Sequence, residues 1–345
     1  MASKAKFRVG VLGCGLISAD HFRAWAKCRG ASVVALCDPD LARAETRARE
    51  FGIEAVYTSP EAMLAEARLD LADIITPRQT HADLVRLAAR HGVHALCEKP
   101  LCPTLGEASA LVDEVQGRIR VMVNENWRFR AYFRRIGAWI QAGRLGTLVQ
   151  VRLSLWRSNL IPRLDGSVPA LQRQPFVARE QRYLVAESLI HELDTIRSLF
   201  GEVEVVSARL ARASERVIGE DSATILLETR EGMPVAVAGV LSAAGHPPRA
   251  PNRMEIAGTR CSVVLDDAVL RLMGAEQEEH RFDEDAVRQE SFDASVQHFV
   301  DRIRDGGPLW TSAEDQLRTL ALVERTYELA GPARPLVPRL AAANA

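Results

Sequence analysis

Between Phe7 and Asp38 the chain holds a short apolar run, Phe-Arg-Val-Gly-Val-Leu-Gly, a second glycine two residues on, a helix-like stretch, and another apolar run that ends in an acid. This order narrows the fold sharply. A strand that turns on glycine into a helix and returns as a second strand builds a parallel sheet. It also sets the free N–H groups of the helix N-terminus at the sheet edge, where an anion is favoured. Gly13 permits the tight turn, and Gly15 lets the backbone approach a pyrophosphate. Asp38, 25 residues after Gly13, has the spacing expected of a carboxylate that grips a ribose 2′-hydroxyl. A 2′-phosphate beside that carboxylate is repelled, so the unit reads as one for NAD rather than NADP. Ser18 replaces the third glycine of the fingerprint and is small enough for close helix–strand packing.

The alternation continues to about residue 123. An Arg/Glu-rich helix to Glu50 and a weak strand at Ala55–Tyr57 precede Ser59-Pro60, an N-cap and first-turn proline. A strand at 71–75 ends in Thr76-Pro77, a helix covers 82–89, and the strand His94–Cys97 runs into Glu98-Lys99-Pro100. Thr104 and Glu107 have capping-box spacing, and a strand at 119–123 closes the domain. Lys99 thus falls just past the C-terminal end of a parallel strand, the edge where open α/β sheets bind ligands.

Beyond Asn124 the pattern predicts a helix at 134–141 and an alternating, half-buried strand at Leu148–Trp156. Residues 157–183 read as irregular, followed by an apolar-faced helix at 187–200. Strands are expected at 204–210, 223–227, 235–241, 254–256 and 261–265, then helices at 292–304 and 314–329, the second opened by a Thr311/Glu314 capping box. The division is an α/β Rossmann domain over 1–123 and an α+β domain over 124–345 for substrate binding and assembly, its last helices packing back on the first domain.

Lys+Arg total 44, yet only Lys4, Lys6, Lys27 and Lys99 are lysines. A guanidinium does not release its proton in a protein whereas an amine can, so Lys99 is the one interior cation suited to proton exchange. The formal net charge of −1 provides no field for nucleic acid or a membrane surface, and no segment has the apolar length of a span. The N-terminal residues show no secretory h-region. The six cysteines are scattered without CxxC pairs, so reduced thiols, no metal site and a cytoplasmic setting are expected. Eleven arginines against two acids over 128–182 raise an anionic substrate as one reading, with pairing to other segments as its counterpart. Trp127, Trp139 and Trp310 read as core, and Trp156, ending a strand before the irregular segment, as the best stacking candidate. His21, His91, His94, His246, His280 and His298 read as structural.

Gly-Cys-Gly-Leu-Ile-Ser at 13–18, Asp38, Thr76-Pro77 with His81 and Cys-Glu-Lys-Pro-Leu at 97–101 stand in order with Arg128-Phe129, Gly-Arg-Leu-Gly at 143–146, Glu187-x-x-x-His191 with Asp194, and Ile-Ala-Gly-Thr at 256–259. Over nearly the whole chain this series resembles the glucose–fructose oxidoreductase/inositol dehydrogenase/MocA-like family of nicotinamide-dependent oxidoreductases. The resemblance implies a Rossmann domain followed by a large open, mostly antiparallel sheet that forms a subunit interface, hence a homo-oligomer. It implies NAD bound by Gly13, Cys14, Gly15, Leu16, Ile17, Asp38, Thr76, Pro77, His81, Glu98 and Lys99. It makes Lys99 and His191 the acid/base groups, with Glu187 orienting the imidazole or a substrate hydroxyl and Arg128 at the substrate. Trp156, from its place at a strand end, and Arg157 and Arg163, from the arginine-rich segment, are the further substrate candidates. The commoner family pattern has aspartate at position 187 and glycine at what is Leu189 here. The activity implied is hydride transfer between a secondary alcohol of a sugar, sugar acid, cyclitol or related diol and NAD. Transient oxidation leading to elimination, hydrolysis or epimerisation, and cofactor sensing without chemistry, are the alternatives.

Overall fold

The computed structural model describes residues 5–249 and 251–336. The chain divides into two compact units: residues up to Arg134 with Asp285–Ala321, and Arg135–Glu284 with the chain from Leu322 onward.

In the first unit, strands β1 (Phe7–Leu12), β2 (Ala31–Cys37), β3 (Ala55–Tyr57), β4 (Leu71–Ile74), β5 (His94–Cys97) and β6 (Val121–Val123) form one parallel sheet in the order β3-β2-β1-β4-β5-β6. Helices α1 (Ser18–Lys27), α2 (Leu41–Phe51), α3 (Pro60–Glu66), α4 (His81–Arg90) and α5 (Leu105–Val115) connect the strands. The order reverses between β1 and β4, which leaves a crevice beyond their C-terminal ends. Local chemistry sets the helix starts. Asp40 caps α2, Ser59 caps α3 with Pro60 in its first turn, and Thr104 accepts from the Glu107 N–H at the head of α5.

The second unit is built on nine strands: β7 (Leu148–Trp156), β8 (Val203–Arg212), β9 (Ser222–Thr229), β10 (Pro234–Val240), β11 (Arg253–Gly258), β12 (Cys261–Asp266), β13 (Val269–Gly274), β14 (Glu278–Arg281) and β15 (Arg334–Pro335). Their order is β14-β13-β12-β11-β7-β10-β9-β8-β15, antiparallel except where β7 meets β10 and β8 meets β15. The long strands alternate buried and exposed residues, so one face is core. Cross-strand register puts Leu226, Ala236, Arg152, Glu255, Val264 and Arg271 in one row on the other face. The remaining helices are α6 (Ala131–Gln141), α7 (Pro169–Arg173), α8 (Ile190–Phe200), α9 (Glu284–Asp305) and α10 (Ala313–Ala330). Phe292, Val296, Phe299 and Val300 of α9 join the core of the first sheet.

Several expectations are corrected. β13 and β14 were not foreseen, and α9 begins eight residues before the expected Phe292. The expected helix at 187–200 opens instead as a π-helix, Leu184–Leu189, before α8. The irregular segment contains α7 and a 3₁₀ turn at Pro175–Arg179. Thr311 does not cap α10: its hydroxyl donates to the Val123 carbonyl at 2.6 Å, and Ser312 accepts from the Asp315 N–H. Trp310 is 49% exposed rather than core, stacked on Phe129 with ring centroids 5.2 Å apart.

Candidate active site

At the crevice of the first unit the glycine turn behaves as two different devices. Gly13 adopts φ of +101°, and a Cβ there would lie 2.5 Å from the Ile75 carbonyl oxygen, so the fold itself demands glycine. At Gly15 a Cβ would meet nothing within 4 Å. Its missing side chain therefore leaves room for a group from outside the chain, which fits a dinucleotide pyrophosphate. Ser18 is fully buried and donates to the Gly15 carbonyl at 2.7 Å, holding the turn against α1. Leu16 stands exposed beside Ile17. Asp38 is 4% exposed, and its carboxylate accepts from the Cys14 N–H at 2.8 Å and the Asp40 N–H at 2.9 Å. Lone pairs remain for a ribose hydroxyl. The Arg43 guanidinium stands 3.7 Å from Asp38, and Arg43 and Arg47 line a cleft that opens at Cys14. Burial first, then Asp38, pushes the Cys14 thiol up to about 12, so it stays protonated.

The β4 and β5 exits carry the other expected residues. The Thr76 hydroxyl accepts from Thr80 at 2.8 Å, and Pro77 is exposed. His81, expected near the cofactor, has a buried ring with Nδ1 and Nε2 each 2.8 Å from a carbonyl oxygen, of Pro100 and Thr76 respectively. The ring thus bridges the segments that carry Thr76 and Lys99. Glu98 turns inward, where its carboxylate meets His21 at 2.9 Å and Asn124 at 2.7 Å and accepts from the Lys99 N–H at 3.2 Å. Lys99 itself is half-buried at the strand exit.

In the second unit, the stretch from Tyr183 to Arg197 is buried except at three positions, Glu187, Ser188 and His191. These form a single open strip on an otherwise enclosed segment. The π-helix means that Glu187 and His191 are not simply one α-helical turn apart. Buried Glu220 holds the start of that π-helix: it accepts from the Tyr183 and Val185 N–H groups at 3.3 and 3.0 Å and from the Tyr327 hydroxyl at 2.6 Å. Burial, then the Glu187 charge, raises the Tyr183 phenol, while Arg157 and Arg173 oppose the shift. Arg157, Arg173 and Glu187 therefore share one electrostatic neighbourhood, and Arg173 joins the candidates. Arg163 is exposed, 3.5 Å from Gln172. Trp156 is 48% exposed, its ring edge on His246 at 5.3 Å. Arg128, expected to line the substrate, donates from its guanidinium to Asp315 at 2.6 Å and to the Trp310 carbonyl at 2.7 Å.

The sequence reading missed Ser188, Arg173, Glu220 and the inward partners of Glu98. Only the arginine cluster gave any signal of them. All six cysteines are free thiols, and no three His, Cys, Asp or Glu residues gather as metal ligands among the described residues. No described helix is long and apolar enough to cross a membrane.

Residues 7–125 match the family model described as the oxidoreductase family, NAD-binding Rossmann fold, and residues 133–264 match the GFO/IDH/MocA C-terminal domain. D-apiose dehydrogenase of Paraburkholderia graminis is 35% identical over 93% of this chain and 87% of its own. The enzyme of the same name from Rhizobium rhizogenes is 32% identical over 94% and 95%. An oxidoreductase from Agrobacterium radiobacter, solved in complex with NAD+, L-tartaric acid and magnesium, superposes with a TM-score of 0.87 at 31% identity, covering 94% of this chain and 96% of that one. Relatedness carried through both sheets, with NAD as the cofactor, makes this chain a member of the Gfo/Idh/MocA oxidoreductase family, a dehydrogenase by its full-length relatives.

Proposed function

We propose that the protein oxidises a secondary hydroxyl of a sugar, a branched pentose such as D-apiose first among candidates, with Lys99 and His191 as the acid/base groups. Bound NAD supplies the hydride acceptor. The task of the chain is then to orient the carbinol carbon, to take the hydroxyl proton as hydride leaves, and to balance the charge that develops on oxygen. His191 has the ring chemistry for the proton step, and an amine at Lys99 can hold or release a proton where a guanidinium cannot. Glu187, on the same strip, orients the imidazole or a neighbouring hydroxyl of the substrate. Arg157 and Arg173, whose charges both reach Tyr183, provide for a carboxylate where the sugar carries one.

The observation that carries this reading is the strip itself. In a segment buried from Tyr183 to Arg197, the partly exposed positions are Glu187, Ser188 and His191, so an imidazole and a carboxylate are the titratable groups that face outward there. Self-association through the outward face of the second sheet belongs to the same reading, since Leu226 and Met273 stand exposed there.

The test is a screen of D-apiose, other aldoses, sugar acids and cyclitols with NAD, followed by NADH absorbance. Steady NADH formation with at least one sugar is expected. Turnover of a sugar without net NADH would move the assignment to internal oxidation and re-reduction, and no turnover of any would end it.

A further inference from the structure

Behind Lys99 lies a buried ionic chain that the proposed chemistry does not use. His21 is fully buried on α1; its Nδ1 is 2.8 Å from the Asp73 carboxylate and its Nε2 2.9 Å from the Glu98 carboxylate. Ionised carboxylates only accept, so bonding on both sides requires both ring nitrogens to donate. Each carboxylate is held from a second direction. Asp73 accepts from the Trp25 indole N–H at 2.6 Å, and Glu98 from the Asn124 amide at 2.7 Å, whose own oxygen accepts from Ser295. The outer oxygen of Glu98 takes the Lys99 N–H, and His81 grips the Pro100 carbonyl on the other side. Charges thus alternate from the core outward, Asp73, His21, Glu98, Lys99.

We propose that His21 is a positioning residue for Lys99: bridging Asp73 to Glu98 as an imidazolium, it fixes the main chain from which the Lys99 amine is offered. Two buried carboxylates on adjacent strands repel unless a cation stands between them, and a lone uncompensated charge there is costly. The bridge therefore locks the β4 and β5 exits at one separation. The charge balance agrees. Burial pulls the His21 ring down, but Asp73 and then Glu98 outweigh it and hold it up at about 10. Burial likewise pushes Glu98 up, and His21, Asn124 and Lys99 bring it down to about 2.

This inference rests on the reading of Lys99 as an acid/base group, so His21→Gln, Asp73→Asn and Lys99→Arg are compared with D-apiose and NAD. For His21→Gln, kcat is expected to fall about ten- to a hundredfold, the scale set by a small misplacement of a catalytic group. The KM for D-apiose and the affinity for NADH should stay within about twofold. The primary deuterium isotope effect on kcat should rise as hydride transfer becomes rate-limiting. Mere loss of folded enzyme lowers kcat without moving the isotope effect. Asp73→Asn, nearly isosteric, should show the same pattern more weakly and serves if His21→Gln does not fold. Nitrogen NMR of the wild type provides the second readout: at about pH 8 both His21 ring nitrogens should carry protons, although a free histidine is neutral there. One unprotonated His21 nitrogen, or unchanged kcat and isotope effect in both variants while Lys99→Arg is impaired, overturns the inference alone. Normal turnover by Lys99→Arg overturns the reading of Lys99 and the inference with it.

Discussion

The two glycines of the first turn should respond in opposite ways to the same added methyl group. At Gly13 an alanine has to hold φ near +101° and to place its Cβ 2.5 Å from a backbone carbonyl that cannot rotate away. Backbone strain of this kind costs about 1–3 kcal/mol, and relieving the overlap adds to it. A total loss of about 3 kcal/mol lowers Tm by roughly 6–12 °C for a cooperative unit of this size class. At Gly15 nothing lies within 4 Å, so Gly15→Ala should leave Tm unchanged or raise it slightly, by the about 0.4–1 kcal/mol gained from a stiffer unfolded chain. That methyl then occupies the space argued to receive the pyrophosphate, and NADH affinity should fall at least about tenfold, about 1.4 kcal/mol. Thermal melts and NADH fluorescence titrations of the two variants decide the matter. A Gly15→Ala protein that melts early but binds NADH normally, or a Gly13→Ala protein as stable as the parent, would refute the division of labour.

Asp38 should favour NADH over NADPH by at least about an order of magnitude, and Asp38→Ser should narrow the gap, because Arg43 is then free to meet a 2′-phosphate; equal affinities in the wild type contradict this. His21, held up at about 10, contributes stability that is complete below its unfolded value of about 6.5 and is lost as pH rises from there toward about 10. Urea midpoints between about pH 7 and 9.5 should therefore fall more steeply for the wild type than for His21→Gln, and parallel curves would count against the bridge. Arg128→Ala should cost about 1–3 kcal/mol through the lost Asp315 pair and leave the KM for the sugar unchanged, whereas a raised KM would return Arg128 to the substrate. Arg157→Ala should raise the KM for a sugar acid and weaken its salt dependence, with no effect on a neutral sugar. An equal rise for both kinds of sugar would assign the arginine to the fold.

The glycine turn could be read because its reasons are local: a left-handed φ at Gly13 and an empty side at Gly15 each exclude other residues at that position. β7 matches its expected span because Val149 to Leu155 alternate apolar and polar residues. What stayed hidden depends on partners far along the chain. The π-helix that carries Glu187 is pinned by Glu220, 37 residues after Tyr183. Thr311 and Ser312 both offer a capping hydroxyl, and Thr311 is withdrawn by a carbonyl 188 residues away. β14 reads Glu-Glu-His-Arg and has no apolar alternation, as suits a charged edge strand. His21 looks like any histidine on a helix until Asp73 and Glu98, 52 and 77 residues on, close around it. Arg128 was one of many arginines, and only the fold shows that Asp315 engages it.

Turnover of D-apiose by the wild type and by Lys99→Arg decides whether NAD-dependent dehydrogenation runs on the Lys99 amine. The wild type should release one NADH per sugar oxidised. The arginine variant, equal in charge but unable to exchange a proton near neutrality, should lose about two or more decades of kcat, with NADH affinity changed no more than a few-fold. Near-normal turnover by Lys99→Arg would contradict that role of the amine, because charge alone would then suffice.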